Sequence, residues 1–466
     1  MGRDVVSAYM AAGARIASWA VVSAVVYRNL GAEAFGLLAL VRGTIGLLNY
    51  AAVGLGPALV RMIAEEMSRP RQAIPVNEDP PGNRIAAYWT PETKFDPATG
   101  PYVNGLVIAS MAAAIGLLLT WLYAKCFGTV HHIGTANGDI PVLVGTIGIG
   151  TIFRLVSDAP GAILQTKGRI CADNCLLAGA DLTWALMTLG FVFTARYRLA
   201  VASVASVAEA GVALALANGA LLVARFVFAH GAVNLRGGKG INYAMLRRLL
   251  TFGGLVVLAQ LADYLYAPTD YILIDRLLDP IALAAYAPAV QIDGALLVLV
   301  AGLGAVLLPK SAVAHAAGDL AAVRKYYVRG TIASVGLLLA AGVGVWALSP
   351  WIFRLWLGNE MVATQAILPL VLVHTVVGGS SAVGRSILLG MGKVRAFTIA
   401  VLIAGASNVA FSVVFVKYLG LGLKGIVLGT IVAVVLRCGV WMPWYVMRAV
   451  RGEGEIAAEP QMTIEN

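Results

Sequence analysis

GAEAFGLLALVRGTIGLLNYAAVGLGPALVR, residues 31–61, is the stretch that decides the fold. It is apolar or small almost throughout, yet it encloses Arg42, and it recurs. Set against residues 276–309 at a constant offset of 248, residues 28–61 match without gaps at ten of 34 positions. The matches include Arg28 with Arg276, Gly46 with Gly294, and Gly54-Leu55-Gly56 with Gly302-Leu303-Gly304. Self-similarity at a fixed offset marks an internal repeat. A weaker echo pairs AILQTKGR (162–169) with SILLGMGK (386–393) at offset 224. The shift between the two offsets reflects an extra loop in the first half.

The rest of the chain says what is repeated. Of 466 residues, 59% are hydrophobic and 12% charged, with a mean hydropathy of +0.83. Soluble domains carry about 25% charged residues, so composition excludes a soluble protein. A membrane-crossing helix needs about 20 apolar residues. Twelve such stretches are predicted, at 5–26, 34–60, 103–124, 140–164, 172–194, 201–224, 250–274, 281–308, 331–353, 365–390, 397–416 and 425–447. The 52 glycines suit close helix packing in a membrane, where no hydrophobic force draws helices together.

The expected architecture is an all-α polytopic membrane protein of two six-helix halves around a central cavity. Residues 1–230 form the first half, with a Pro-rich insertion at 67–101. A linker follows at 231–249, the second half at 250–450, and a tail at 451–466. Each half has an even number of spans, so the repeat is parallel, and one half can rock against the other around a midplane site.

The net charge of +10 invites a nucleic-acid reading, but its distribution excludes one. With the N-terminus in the cytoplasm, 21 Lys/Arg fall in inner segments, eight in outer loops, and five within helices: Arg15, Arg42, Arg154, Arg385 and Arg437. That bias is the positive-inside rule, and it places both termini in the cytoplasm. The first apolar run reads as a span rather than a cleaved signal. The four scattered cysteines imply neither a disulfide framework nor a metal site.

Two motifs carry a resemblance. YRNLGAEAFGLLALV (27–41) contains a Leu-Gly-x-x-x-(Tyr/Phe)-Gly pattern after a basic residue. TDYILIDRLLDPIALAAYAPAV (269–290) carries Asp270, Arg276 and Tyr286 in a matching frame, with Ala284 where a glycine is usual. Together they resemble the multidrug/oligosaccharidyl-lipid/polysaccharide exporter superfamily, in its polysaccharide and oligosaccharide flippase branch. The resemblance implies a bacterial inner-membrane transporter, not an enzyme. Its substrate would be an undecaprenyl-diphosphate-linked oligosaccharide of a polysaccharide or lipopolysaccharide pathway. It implies no cofactor beyond a coupling H⁺ or Na⁺. Its partners would be membrane lipids and glycan-assembly proteins, with the transporter itself a monomer. The alternative within the superfamily is a multidrug/cation antiporter. A peptidoglycan lipid-precursor flippase commonly carries two further helices, and a membrane glycan polymerase needs a larger outer domain than this chain has.

The charges inside helices are the candidate site. Charge at the bilayer centre is costly, so such residues face a bundle interior or a wet cavity. Under the repeat, Arg15 maps onto Asp263, which places the two on opposite walls of the central cavity. Arginine's planar fork of donors suits phosphate oxygens. Arg15 and Arg42 are therefore expected to hold the diphosphate, with Arg385 and Arg154 as further substrate contacts. Asp263 and Asp293 are expected to bind the coupling ion. Arg154 and Asp158, four apart on one helix, are expected to pair with each other. For Arg15, Arg42, Asp263 and Asp293, an internal ion pair that fixes helix packing is the competing reading; for Arg385 it is snorkelling to the interface.

Overall fold

The computed structural model describes residues 2–46, 55–68, 98–130, 140–198, 207–232, 240–251, 267–279, 281–358, 361–391 and 393–451. The described residues are helical with short turns. The first half holds α1 (Gly2–Leu30), α2 (Ala32–Ile45), α3 (Leu55–Ser68), α4 (Thr99–Val130), α5 (Ile140–Thr166), α6 (Ile170–Arg198) and α7 (Ala208–His230). The second holds α8 (Ala267–Leu277), α9 (Ile281–Ala316), α10 (Leu320–Leu357), α11 (Val362–Gly390) and α12 (Val394–Lys417). It closes with α13 (Gly422–Val434), a π-helical segment (Val435–Trp441) and α14 (Met442–Val450), which run on as one element.

Among the described residues, ten helices are long and apolar enough to cross a membrane. Spans two and seven of the twelve read from sequence contain the undescribed residues 47–54 and 252–266. The undescribed part of the Pro-rich insertion is 69–97, because α3 runs to Ser68 and α4 begins at Thr99. Several helices outrun their apolar cores. α10 has 38 residues, roughly 57 Å at 1.5 Å per residue, and its overhang carries Arg324, Lys325 and Arg329.

The sharp turn between α1 and α2 rests on Gly31, whose φ of 91° favours glycine. The outer faces of α4 and α10 are oily: Met111, Ile115, Leu118 and Trp121 on one, Val343, Trp346 and Trp351 on the other, all exposed. On a soluble protein so large an apolar surface would drive association; here it is the surface presented to lipid.

The halves meet mainly through α1 and α2, which pack on α8, α9 and α10. α2 lies against α9, its own counterpart under the 248-residue repeat. At the end of the bundle with the α1–α2 turn, one hydrophobic core runs through both halves, joining Val26, Phe35 and Leu38 to Leu283, Phe353 and Ile367. Trp356 donates from Nε1 to the carbonyl of Ala20 at 2.8 Å there, and Arg28 donates to the carbonyl of Leu355. At the opposite end the cores are separate. The first half has Leu59, Ile63, Tyr102 and Ile163; the second has Leu307, Val323, Ile387 and Val446. Among the described residues, the hydrophobic core is thus continuous across the halves at one end and falls into separate clusters at the end that carries the start of α1, where Tyr9 still packs on Gly302.

Candidate functional site

Helices α1, α2, α5, α6 and α7 enclose a polar cavity of about 610 Å³ in the first half. Arg15, Arg42, Arg154 and Arg225 line it, with Asp158 and Asp181. A second cavity of about 610 Å³ lies between the halves, against α1, α9 and α10. Its lining is apolar for the most part, with Ile16, Val290, Ala295, Val298 and Ile352. Arg15, Trp19, Arg42 and Tyr271 border both spaces. A polar chamber therefore adjoins an oily one across a rim of two arginines and two aromatic rings.

The arginines are held differently. Arg154 Nη1 donates to Asp181 Oδ1 at 2.7 Å, and Arg15 Nε reaches Asp181 Oδ2 at 3.4 Å, so one carboxylate serves two cations. Arg15 remains 54% exposed at its side chain. Arg42 is held by rings. Its guanidinium carbon lies 3.9 Å from the centroid of Trp19 and 4.6 Å from that of Trp184. The two indoles are themselves stacked, 5.6 Å apart and 17° from parallel. Trp184 is fixed in turn, donating from Nε1 to the carbonyl of Ala210 at 3.0 Å. Cation–π contact holds a guanidinium by its face and leaves its in-plane N–H groups free for a ligand. Arg42 Nη1 is shut off from solvent and has no hydrogen-bond partner among the described residues.

Deeper in the first half is a network that sequence reading missed. Arg225, 2% exposed, donates from Nε to Asp173 at 2.8 Å and from Nη1 to Asp158 at 3.2 Å. Gln165 adds a bond to Asp173 at 2.9 Å, and Ser157 accepts from Arg225 at 3.0 Å. The expected Arg154–Asp158 pair is replaced: Arg154 bonds Asp181 on α6, and Asp158 takes Arg225 on α7. Helix neighbours four apart lost to partners on facing helices, where the geometry is better. Arg225 escaped notice because the apolar window ended at residue 224, while α7 runs on to His230.

The second half has its own buried polar cluster. Asp270, fully buried, accepts from Tyr286 at 2.8 Å, Thr430 at 2.8 Å and Asn408 at 3.0 Å. Beside it, Asp293 accepts from Thr375 Oγ1 at 2.6 Å and lies 3.6 Å from His374 Nδ1. Tyr286, Thr430, Asp293 and His374 share one small cavity. Four of the partners of Asp270 and Asp293 come from α11, α12 and α13, far away in sequence.

The remaining expectations fall as follows. Asp263 lies outside the described residues, so its position opposite Arg15 is not described. Among the described residues, Arg15 reaches Asp181, a carboxylate of its own half. Arg385 is not with the other arginines. It stacks over Phe397, 5.5 Å from the ring centroid, in the second half. Among the described residues, no group of three or more His, Cys, Asp or Glu side chains could hold a metal ion.

Comparison with known proteins agrees with this architecture. The family model described as MatE matches residues 256–414. No curated protein matches the chain by sequence. Among solved structures, an inward-facing multidrug resistance MATE family transporter of the MOP superfamily superposes with a TM-score of 0.70 at 15% identity, covering 96% of this chain and 99% of that one. The lipid II flippase MurJ, in an inward closed conformation, gives 0.67 at 12% identity, covering 96% of this chain and 87% of that one. An outward-facing MATE transporter gives 0.61 at 15% identity, covering 96% of each chain. The chain has the two-half, twelve-helix fold of these MATE transporters, and MurJ superposes on the same fold.

Proposed function

We propose that the protein is a membrane transporter that moves an anionic amphiphile, a lipid-linked oligosaccharide joined through a diphosphate, by alternating access. The observation that carries this reading is Arg42. A half-buried guanidinium stacked on two indoles, with a hydrogen-bond donor unused among the described residues, is a receptor for an acidic group. Arg15 and Arg154 stand beside it, sharing one carboxylate between two charges, so a phosphate can displace Asp181 from either. The adjoining apolar space suits the start of the lipid tail, which stays in the bilayer while the head uses the polar chamber. Rocking of the halves about the shared core would then carry the head across.

In the same reading Asp270 takes the coupling cation. Its neighbours Tyr286, Asn408 and Thr430 supply oxygens, the donor type that hard cations prefer. Asp293 lies on the same small cavity and is the second acid of that site. Asp263 stays a proposed contributor.

A second reading is a multidrug/cation antiporter. The aspartates on the polar chamber and the likeness to multidrug MATE structures favour it. One experiment separates the two. The protein is depleted from its host, and lipid-linked oligosaccharide on the cytoplasmic leaflet is measured, with Arg42→Ala and Arg15→Ala variants expressed in its place. The flippase reading expects the intermediate to accumulate and the variants to fail to clear it. Loss of one charge-assisted bond of about 1.5–3 kcal/mol corresponds to roughly 10- to 100-fold weaker binding. No accumulation, with heightened sensitivity to cationic drugs, makes the antiporter reading correct.

A further inference from the structure

A third cavity, of about 580 Å³, lies outside both chambers, between α12 and the closing element of the second half. Its shape follows from how these two helices cross. Near the α12–α13 turn they touch backbone to backbone. A Cβ placed on Gly429 would fall 2.6 Å from the backbone nitrogen of Ser412, and one on Gly425 would fall 3.1 Å from the carbonyl carbon of Phe415. Further along they part, and the widened π-helical segment occupies the place where they separate. π-helical turns inside α-helices are frequent at functional sites. The result is a wedge-shaped groove that opens toward the end where α12 begins and α14 ends.

The lining changes character along its length. Small and branched apolar side chains, Ala396, Ala400, Ile403 and Ala404, form one wall. Ala433, Leu436 and the ring of Trp441 form the other, with Arg437 in the floor, 8% exposed and 3.2 Å through Nε from Cys438 Sγ. At the mouth stand Lys393 and Arg448, with Trp444 and Tyr445 beside them. Arg448 stacks on Trp444, 5.6 Å from the ring centroid. No acidic side chain lines the groove among the described residues. From Ala396 to Ser407 the wall rises through eleven residues, roughly 16 Å. That equals the hydrocarbon depth of one leaflet, about half of a 30 Å core. Tryptophan and tyrosine mark the membrane–water boundary, the level at which a phosphate sits.

We propose that this groove is a binding site for one phospholipid with a net negative headgroup, in the leaflet at the N-terminal end of α1. One acyl chain fills the wedge between α12 and the π-helical segment. The phosphate, with no cationic group in its own headgroup to neutralise it, rests between Lys393 and Arg448. The lipid thereby splints two helices whose close backbone approach lies toward their other ends. This site is separate from the proposed transport chambers and does not depend on what they carry.

The test uses the full chain in a mild detergent, stripped of lipid, with native mass spectrometry of bound phosphatidylglycerol or phosphatidylethanolamine of matched acyl chains. The wild type is expected to retain phosphatidylglycerol in preference. Lys393→Gln and Arg448→Gln, both at the rim and harmless to the core, should each reduce that preference about fivefold, as one basic residue near a membrane surface contributes. Ala400→Trp, which fills the wedge, should remove retention of both lipids. Equal retention of the two lipids by the wild type overturns the proposal, as does undiminished binding in Ala400→Trp. Displacement of phosphatidylglycerol by an equal concentration of a polyprenyl phosphate would assign the groove to a different lipid and also overturn it.

Discussion

Arg42 shows how a membrane protein keeps a cation inside a helix without neutralising it. Carboxylates pair with Arg15, Arg154 and Arg225, while Arg42 is gripped through its face by Trp19 and Trp184. Arg225 is the opposite case, committed to Asp173 and Asp158. Breaking a buried pair by removing one partner leaves an uncompensated charge and costs about 3–5 kcal/mol. Asp173→Ala should therefore lower the thermal midpoint in detergent and reduce expression, whereas Arg42→Ala should leave both nearly unchanged. A differential scanning fluorimetry comparison checks this; equal destabilisation by both would make Arg42 a packing residue. Asp270 is tested through ion dependence. With Asp270→Asn, transport should lose its response to an imposed Na⁺ or proton gradient in proteoliposomes. If that response persists in full, the coupling site lies elsewhere, and Asp293→Asn becomes the decisive variant.

Among the elements, the last two crossings approach backbone to backbone. α12 and α13 come together at Gly425 and Gly429, where an added side chain would meet backbone atoms, at Gly429 together with the Ser412 hydroxyl. Overpacking of this kind costs about 1–3 kcal/mol. Gly429→Val should accordingly destabilise the second half, read as earlier heat-induced aggregation in detergent, while Gly336→Val on the open face of α10 should not. Similar behaviour of the two variants would refute the close crossing. α7 illustrates a different lesson: its continuation beyond residue 224 carries Arg225 into the core, because a helix ends where its backbone bonds run out and not where a sequence window does.

In the whole molecule, the described core is continuous across the halves at the end with the α1–α2 turn and falls into separate clusters at the other. The contact of Trp356 with Ala20 belongs to the end with the continuous core. With the four native cysteines replaced, a bis-maleimide link between Ala20→Cys and Trp356→Cys should arrest transport, and the unlinked double variant should transport. Transport by the fully linked protein would show that this end does not open. Much of this organisation is legible in sequence, for a physical reason. Lipid demands long apolar helices, and a duplicated chain must repeat its own spacing, so the membrane class and the two halves follow from the apolar stretches and from residues 28–61 and 276–309. The arginines too are visible, since charge inside an oily helix stands out. Their partners are not. Arg154 has Asp158 four residues away yet bonds Asp181, and Asp270 gathers Tyr286, Asn408 and Thr430 from three other helices. Which carboxylate meets which cation depends on where helix faces meet, and on which distance and desolvation compete best there. That choice, and the indole cradle that leaves a donor of Arg42 unused among the described residues, was decided by tertiary packing alone.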